Sequence, residues 1–293
     1  MPLRLKKIGN RIVEVVGGRA IHPVNVRTGG FYRLPATEEL HELEADLAWA
    51  LEAAMDTVEW VSAFDVPDFD RDWDLIAVRE AGDYPMMGNH IASSSGRMDI
   101  PVQTFDAQVS EHQVPHSTAL HSSWTGGEYL VGPLARFAVN RDGLTGRAAT
   151  AADAAGLGAE CRNPFRSIVV RAVEVLAACD DAARIVASYT APGTPAVDVP
   201  PRAGVGRGAS EAPRGLLFHR YELAADGTIV SAAIVPPTAQ NQAAIEHDLR
   251  SLIEQNLDLD DERLTKRCEQ LIRSYDPCIS CATHFLDLQM DRR

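Results

Sequence analysis

The stretch Asp276-Pro277-Cys278-Ile279-Ser280-Cys281-Ala282-Thr283-His284 decides how this sequence is read. Proline at 277 cannot extend a preceding helix, so Cys278 and Cys281 are expected on a turn just beyond one. Two thiolates three residues apart can chelate one metal ion, and His284, three residues further on, adds an imidazole within reach. Sulfur donors select zinc, nickel, copper or iron over magnesium or calcium. On these residues alone three readings stand open: a metal site, a redox dithiol and a chance pairing of cysteines. A structural zinc site needs more ligands, and the chain has no second Cys-x-x-Cys. A thioredoxin-type dithiol normally sits early in a fold, between a strand and a helix.

Working back from that turn, Asp261–Tyr275 reads as a helix with Leu264, Cys268, Leu271, Ile272 and Tyr275 on one stripe, which puts Cys268 in the core. Gln240–Gln255 reads as another helix. Gly215–Leu223 and Thr228–Val235 read as strands joined around Asp226-Gly227, a hairpin turn signal. Residues 190–213 are rich in Pro and Gly. By composition they form a linker or a loop ordered over a buried site, and the motifs around them favour the loop. Asn163-Pro164 supplies a cap and a first-turn proline for a helix running to about Tyr189.

From Phe64 to Gly146, Pro67, Pro85, Pro101, Pro115 and Pro133 exclude long helices, with short strands expected at Leu75–Val78 and Tyr129–Val131. Thr37 is expected to cap one long helix carrying Leu40, Leu43, Leu47, Leu51, Ala54 and Val58 on a single face. A first helix over residues 1–16 stops at Gly17-Gly18. The fold class that follows is mainly α with a minor antiparallel β component (α+β).

The chain has 293 residues, with 28 Lys+Arg against 41 Asp+Glu and a net charge of −13. That balance argues against a nucleic-acid or anionic-membrane binder, either of which needs a basic face. No apolar run approaches the roughly 18 residues of a membrane span. Met1–Asn10 carries Arg4, Lys6 and Lys7 without a following apolar block, so no secretory leader is expected. Five cysteines, with Cys161 and Cys179 isolated, do not make a disulfide scaffold, and the expected compartment is the cytoplasm.

The Cys278–His284 turn resembles the C-terminal motif of the large subunit of nickel–iron hydrogenases. Upstream segments resemble that family in the same order. Gly17-Gly18-Arg19-Ala20-Ile21-His22-Pro23 with Gly29-Gly30-Phe31 looks like its second motif region. Gln113-Val114-Pro115-His116-Ser117-Thr118-Ala119-Leu120-His121 and Tyr129-Leu130-Val131-Gly132-Pro133 are similar to the middle of the cytoplasmic, pyridine-nucleotide-linked, sulfhydrogenase-like subgroup. Glu211-Ala212-Pro213-Arg214-Gly215 and Pro236-Pro237-Thr238-Ala239-Gln240-Asn241 resemble segments that wrap the family's active site.

The resemblance implies a hydrogenase large-subunit-like helical core over 1–293 and the following roles. Cys278 would be a terminal nickel ligand, and Cys281 would bridge nickel to an iron carrying CO and cyanide. Pro213, Arg214 and Thr238 would line the Ni–Fe centre, with the Arg214 guanidinium above the open metal position and Asp276 in the same outer shell. His284 would ligate a magnesium-type ion, with the carbonyl just before Pro236 as co-ligand, and His22 would lie near the nearest cluster of an iron–sulfur small subunit. Thiolates suit heterolytic H2 cleavage because they are soft ligands and proton acceptors at once. A fixed guanidinium adds an electrostatic effect without changing its own protonation. On their neighbourhoods alone, Arg214 reads equally as an exposed arginine and His22 as a loop residue. His116 and His121, five apart, lack the spacing of a helical metal pair and are assigned to packing or an interface.

The family holds its metal pair with cysteines near both ends of the subunit, whereas no cysteine here precedes Cys161. The expectation is therefore the C-terminal portion of a large subunit catalysing reversible H2 oxidation, N-terminally incomplete and inactive by itself. Electrons would pass to the iron–sulfur small subunit, then on to diaphorase-type NAD(P)-reducing subunits. Gly204-Val205-Gly206-Arg207-Gly208 lacks the spacing of a dinucleotide fingerprint, so this chain is not expected to bind the nicotinamide. Residues 285–293 correspond to a tail that a maturation endopeptidase removes in the family. Two rival readings are a non-catalytic hydrogenase-like scaffold and a small zinc-binding protein. Retention of Cys278, Cys281 and His284 disfavours the scaffold.

Overall fold

The computed structural model describes residues 2–278. The chain begins with α1 (Pro2–Gly17), the two-residue strands β1 (Val26–Arg27) and β2 (Gly30–Phe31), α2 (Thr37–His41) and α3 (Glu44–Ser62). A run of short strands follows: β3 (Asp74–Arg79), β4 (Met87–Gly88), β5 (His90–Ser93), β6 (Asp99–Pro101), β7 (Val109–His112), β8 (His121–Trp124) and β9 (Tyr129–Leu130). Then come α4 (Pro133–Asn140), α5 (Gly146–Ala154) and α6 (Ser167–Ser188). A three-strand meander, β10 (Gly204–Ala212), β11 (Gly215–Leu223) and β12 (Ile229–Val235), leads into α7 (Pro237–Gln255) and α8 (Asp261–Ser274). Helix outweighs strand and the sheets are small, as the α+β reading expects.

The chain folds as two compact units. Among the described residues, the first comprises 2–64, 145–155 and 172–202. Its core gathers Val15, Leu40, Leu43, Leu47 and Val186. The long helix expected from Thr37 is instead two helices, because the chain makes a turn at Glu42-Leu43. The 3- and 4-residue spacings still deliver Leu40, Leu43 and Leu47 to one core, since the turn keeps them on the same side. Thr37 is not the cap. Ala36 is the extended residue before the helix, and its N–H donates to Glu39 Oε2 at 2.8 Å. Past α1 the chain reverses at Gly18, whose φ of +84° suits glycine, and Asn25 locks the return by bonding Val16 O and both polar groups of the Arg33 backbone.

Among the described residues, the second unit comprises 65–144, 156–171 and 203–278. It holds the sheets β6-β5-β3-β9 and β12-β11-β10-β4 and the hairpin β7-β8. Pairing is antiparallel except for β3 with β9, where Asp74 faces Tyr129 in a parallel register. β3 is apolar and buried over most of its length, so it sits in the middle of its sheet. Ile76, Val78, Ile91, Phe105, Tyr129, Val131, Leu216, Phe218 and Val235 close the core.

Part of the Pro/Gly-rich stretch departs from its expected loop. Gly204–Ala212 is a nine-residue strand, paired residue for residue with β11 from Gly204↔Leu223 to Ala212↔Gly215. The partner strand supplies the regularity that a glycine-rich sequence does not announce. The hairpin at Asp226-Gly227 forms as its sequence predicts, with Gly227 at φ +86° and Thr228 N–H bonded to Asp226 Oδ1. Asn163 likewise accepts from Phe165 N at 3.0 Å ahead of α6. Among the described residues no helix is long and apolar enough to cross a membrane.

Candidate functional site

α8 delivers the chain to the cysteine turn. Asp260 caps its start, accepting from Arg263 N at 2.8 Å, and its apolar stripe buries Leu264, Cys268 and Leu271. Burial pushes the Cys268 thiol up, as its place in the core predicts. The helix ends at Ser274, and Asp276 N–H bonds back to Arg273 O at 3.0 Å. Asp276 takes a left-handed φ of +49°, a conformation aspartate tolerates better than most residues, and turns the chain into Pro277 and Cys278. Cys278 is partly buried.

Two sets of contacts fix that exit. The Ser274 carbonyl accepts from Ser167 Oγ and Arg171 Nη2, both at 2.6 Å. The Tyr275 hydroxyl donates to Asp248 of α7, which is fully buried and also receives Arg71 Nε at 2.5 Å and Trp73 Nε1 at 3.0 Å. Burial and then the adjoining Asp248 carboxylate hold the Tyr275 phenol well above its ordinary range.

Arg214 reaches the same corner from β10-β11. Pro213-Arg214 is the two-residue turn of that hairpin, with Ala212 facing Gly215 across its base. Arg214 Nε donates to the Asp276 carbonyl at 2.6 Å, and Nη2 lies 3.7 Å from the Asp276 carboxylate. The arginine is about one-third exposed, its side chain at 37%, so it is neither free in solvent nor sealed.

The turn is clamped from beneath. Arg136, 3% exposed, donates to the Glu211 carboxylate at 3.2 Å, to the Ala212 carbonyl at 2.9 Å and to the Pro213 carbonyl at 3.2 Å. Glu211 in turn accepts from the Val78 N–H at 2.8 Å, tying the hairpin to β3. Gly132, at φ +114°, abuts the turn so closely that a Cβ there would stand 2.8 Å from the Arg214 carbonyl oxygen. The start of α7 completes the frame: Gln240 donates to the Leu216 and Val235 carbonyls, and Asn241 pairs both backbone groups of Val131. Thr238 is buried in that first turn.

The structure therefore brings Pro213, Arg214, Asp276 and Cys278 to one corner, with Thr238 on the helix that braces it. Cys281 and His284 lie outside the described residues. The donor chemistry that is described fits a soft, thiolate-bound metal: a partly buried cysteine at a turn held in place, with a guanidinium anchored two residues away. His22 lies in the first unit, exposed, at φ +51°, and its carbonyl accepts from Arg19 Nε at 2.5 Å. His116 and His121, expected to serve packing or an interface, both aim Nε2 at Glu246. Sequence reasoning missed the roles of Arg136, Asp248 and Arg71. No local signal distinguishes a buried arginine or aspartate from the exposed ones around it, since their partners are remote in sequence.

Residues 110–284 match the family model described as nickel-dependent hydrogenase. The alpha chain of sulfhydrogenase 1 from Pyrococcus furiosus is 32% identical over 290 residues, covering 98% of this chain and 67% of the relative. A subunit of an F420-non-reducing hydrogenase from Methanothermobacter marburgensis is 28% identical, covering 98% of this chain and 66% of that protein. The chain thus spans about two thirds of the length of these relatives. Among solved structures, an NAD+-reducing [NiFe]-hydrogenase in the H2-reduced state superposes with a TM-score of 0.83 at 24% identity, over 95% of this chain and 67% of its own. A Dm. baculatum [NiFeSe]-hydrogenase superposes with a TM-score of 0.76 at 20% identity, over 96% and 68% of the two chains.

Proposed function

This chain belongs to the nickel-dependent hydrogenase family, and we propose that it supplies the C-terminal share of the Ni–Fe ligand set of a large subunit catalysing reversible H2 oxidation. The observation that carries this reading is the Arg214 guanidinium anchored on the Asp276 carbonyl, at the root of the turn bearing Cys278. When bound, the Ni–Fe centre with its CO and cyanide ligands supplies heterolytic cleavage of H2. Cys278 Sγ and Cys281 Sγ are the donor atoms this chain offers it, and a thiolate sulfur also accepts a proton. Arg214 contributes a positive charge that is already oriented, so no reorganisation is needed as charge develops. Arg136 and Glu211 hold the turn that carries it. Pro213 and Thr238 line the centre, and Asp276 stands in its outer shell.

His284 is assigned to a magnesium-type ion, and His22 to the face toward an iron–sulfur small subunit. Diaphorase-type NAD(P)-reducing subunits are the onward partners, a maturation endopeptidase removes residues 285–293, and the assembly works in the cytoplasm. Two thiolates hold only part of the family's metal pair, so this chain by itself turns over no H2.

The test is metal analysis of the native protein captured from its source cells, with its partners, by an antibody to residues 240–275. Nickel is expected together with iron in excess of it, since the iron–sulfur small subunit adds its own iron, and nickel is expected to be lost from the Cys278→Ser variant. Zinc without nickel, lost from the Cys278→Ser variant, would move the chain to the zinc-binding reading, and no metal dependent on Cys278 would move it to the scaffold.

A further inference from the structure

Away from the cysteine turn, the second unit brings two imidazoles and a carboxylate together. β7 and β8 form a hairpin closed by the pair His112↔His121, so His121 starts β8. His116 sits in the connecting turn, where Gln113 Nε2 donates to the Ser117 carbonyl at 2.7 Å and Ser117 Oγ to the Ala119 carbonyl at 2.9 Å. α7 packs on β8 and presents Glu246 to both histidines. His116 Nε2 lies 3.0 Å from Glu246 Oε2, and His121 Nε2 lies 3.1 Å from Oε1. One donor atom from each residue falls within 4.8 Å of the others.

We propose that His116, His121 and Glu246 form a second metal site, distinct from the cysteine turn, that takes a borderline divalent cation of the Zn2+ class. Two neutral imidazoles and one carboxylate are the donor set of three-ligand zinc sites, which leave a further position for water. Both rings present the same nitrogen to a shared centre. Gln242, one turn before Glu246 on α7, orients the carboxylate by donating to Oε1 at 3.1 Å. Its own amide oxygen is buried with no hydrogen-bond partner among the described residues, an acceptor suited to a metal-bound water. Accessibility is graded: the His121 side chain is 8% exposed, Glu246 35% and His116 64%, so an ion enters from the His116 side. The metal would pin the β7-β8 turn to α7, joining residues 125 and 130 positions apart in the chain. These donors act independently of whatever Cys278 binds.

The test uses the full chain carrying Cys278→Ser and Cys281→Ser, stripped with chelator and titrated with Co2+ and then Zn2+. Thiolates at the cysteine turn then cannot contribute. One equivalent of Co2+ with ligand-field absorption and no sulfur charge-transfer band is expected, together with a rise in Tm on adding Zn2+. Adding His116→Ala, at an exposed position that leaves folding intact, should weaken binding roughly tenfold or more, and Glu246→Gln should do likewise. Absence of binding in the Cys278→Ser, Cys281→Ser background, or equal binding in the His116 and Glu246 variants, overturns the proposal. Loss of nickel at Cys278 in the native protein is a separate readout and leaves this one untouched.

Discussion

Arg214 Nε donates to the main-chain carbonyl of Asp276 at 2.6 Å, so a residue in a hairpin turn holds the backbone that leads into Cys278. The contact is to a carbonyl, not chiefly to the carboxylate, whose nearest oxygen stands 3.7 Å from Nη2. A point charge at this position cannot replace it, because the guanidinium both bonds the backbone and keeps its other nitrogens for the site.

Arg214→Lys should therefore lower H2-dependent dye reduction by the assembled enzyme by about one to two orders of magnitude, the scale for losing one oriented electrostatic group. Stability should change little, since the side chain is partly exposed. Stopped-flow or steady-state H2 uptake beside a urea melt separates the two, and unchanged turnover would remove Arg214 from the site.

Glu211→Ala should be far more damaging to folding. Arg136 and Glu211 are both buried and paired, and removing the acid takes that counter-charge away from a buried guanidinium. A loss of about 3–5 kcal/mol is expected in equilibrium urea unfolding, with Glu211→Gln milder because it keeps an acceptor for the Val78 N–H.

Gly132→Ala should destabilise by about 1–3 kcal/mol and displace the Arg214 turn, because alanine is strained at φ +114° and its Cβ meets the Arg214 carbonyl at 2.8 Å. A thermal melt combined with the dye-reduction assay reads both effects.

Tyr275 gives the unit an alkaline limit. Its phenol is held well above its ordinary value in the folded state, by burial and then by Asp248. A raised folded pKa means that the stabilisation is complete below the unfolded phenol's value of about 10 and is lost as pH climbs above it. Tyr129, also raised by burial, adds to the same loss. Tyr275→Phe should flatten the fall in stability above about pH 10 while costing about 1–3 kcal/mol at neutral pH, because Asp248 loses one of its donors. Urea melts at a series of pH values check both parts, and an identical alkaline slope in the variant would refute the assignment.

Much of this could be seen along the chain. Pro277 ends α8, the 264–268–271 stripe places Cys268 in the core, Asp226-Gly227 turns a hairpin and Asn163-Pro164 opens a helix. Each is a local decision, made by neighbours a few residues apart through φ restriction, capping or helical period. The order of the motifs pointed to the family as well. The same local reasoning misplaced the cap at Thr37 and read the Gly204–Ala212 strand as part of a loop, because the first depends on which backbone turns extended and the second on a partner strand.

What tertiary structure alone decided is which distant groups meet. Arg214 and Asp276 are 62 residues apart, Arg136 and Glu211 75, Arg71 and Asp248 177, and His116 and Glu246 130. An arginine or a histidine reads the same in sequence whether it faces water or a buried carboxylate. Only the closing of hairpins and helices around a common core brings the charges together, and desolvation then makes the buried pairings, Arg136 with Glu211 and Arg71 with Asp248, obligatory.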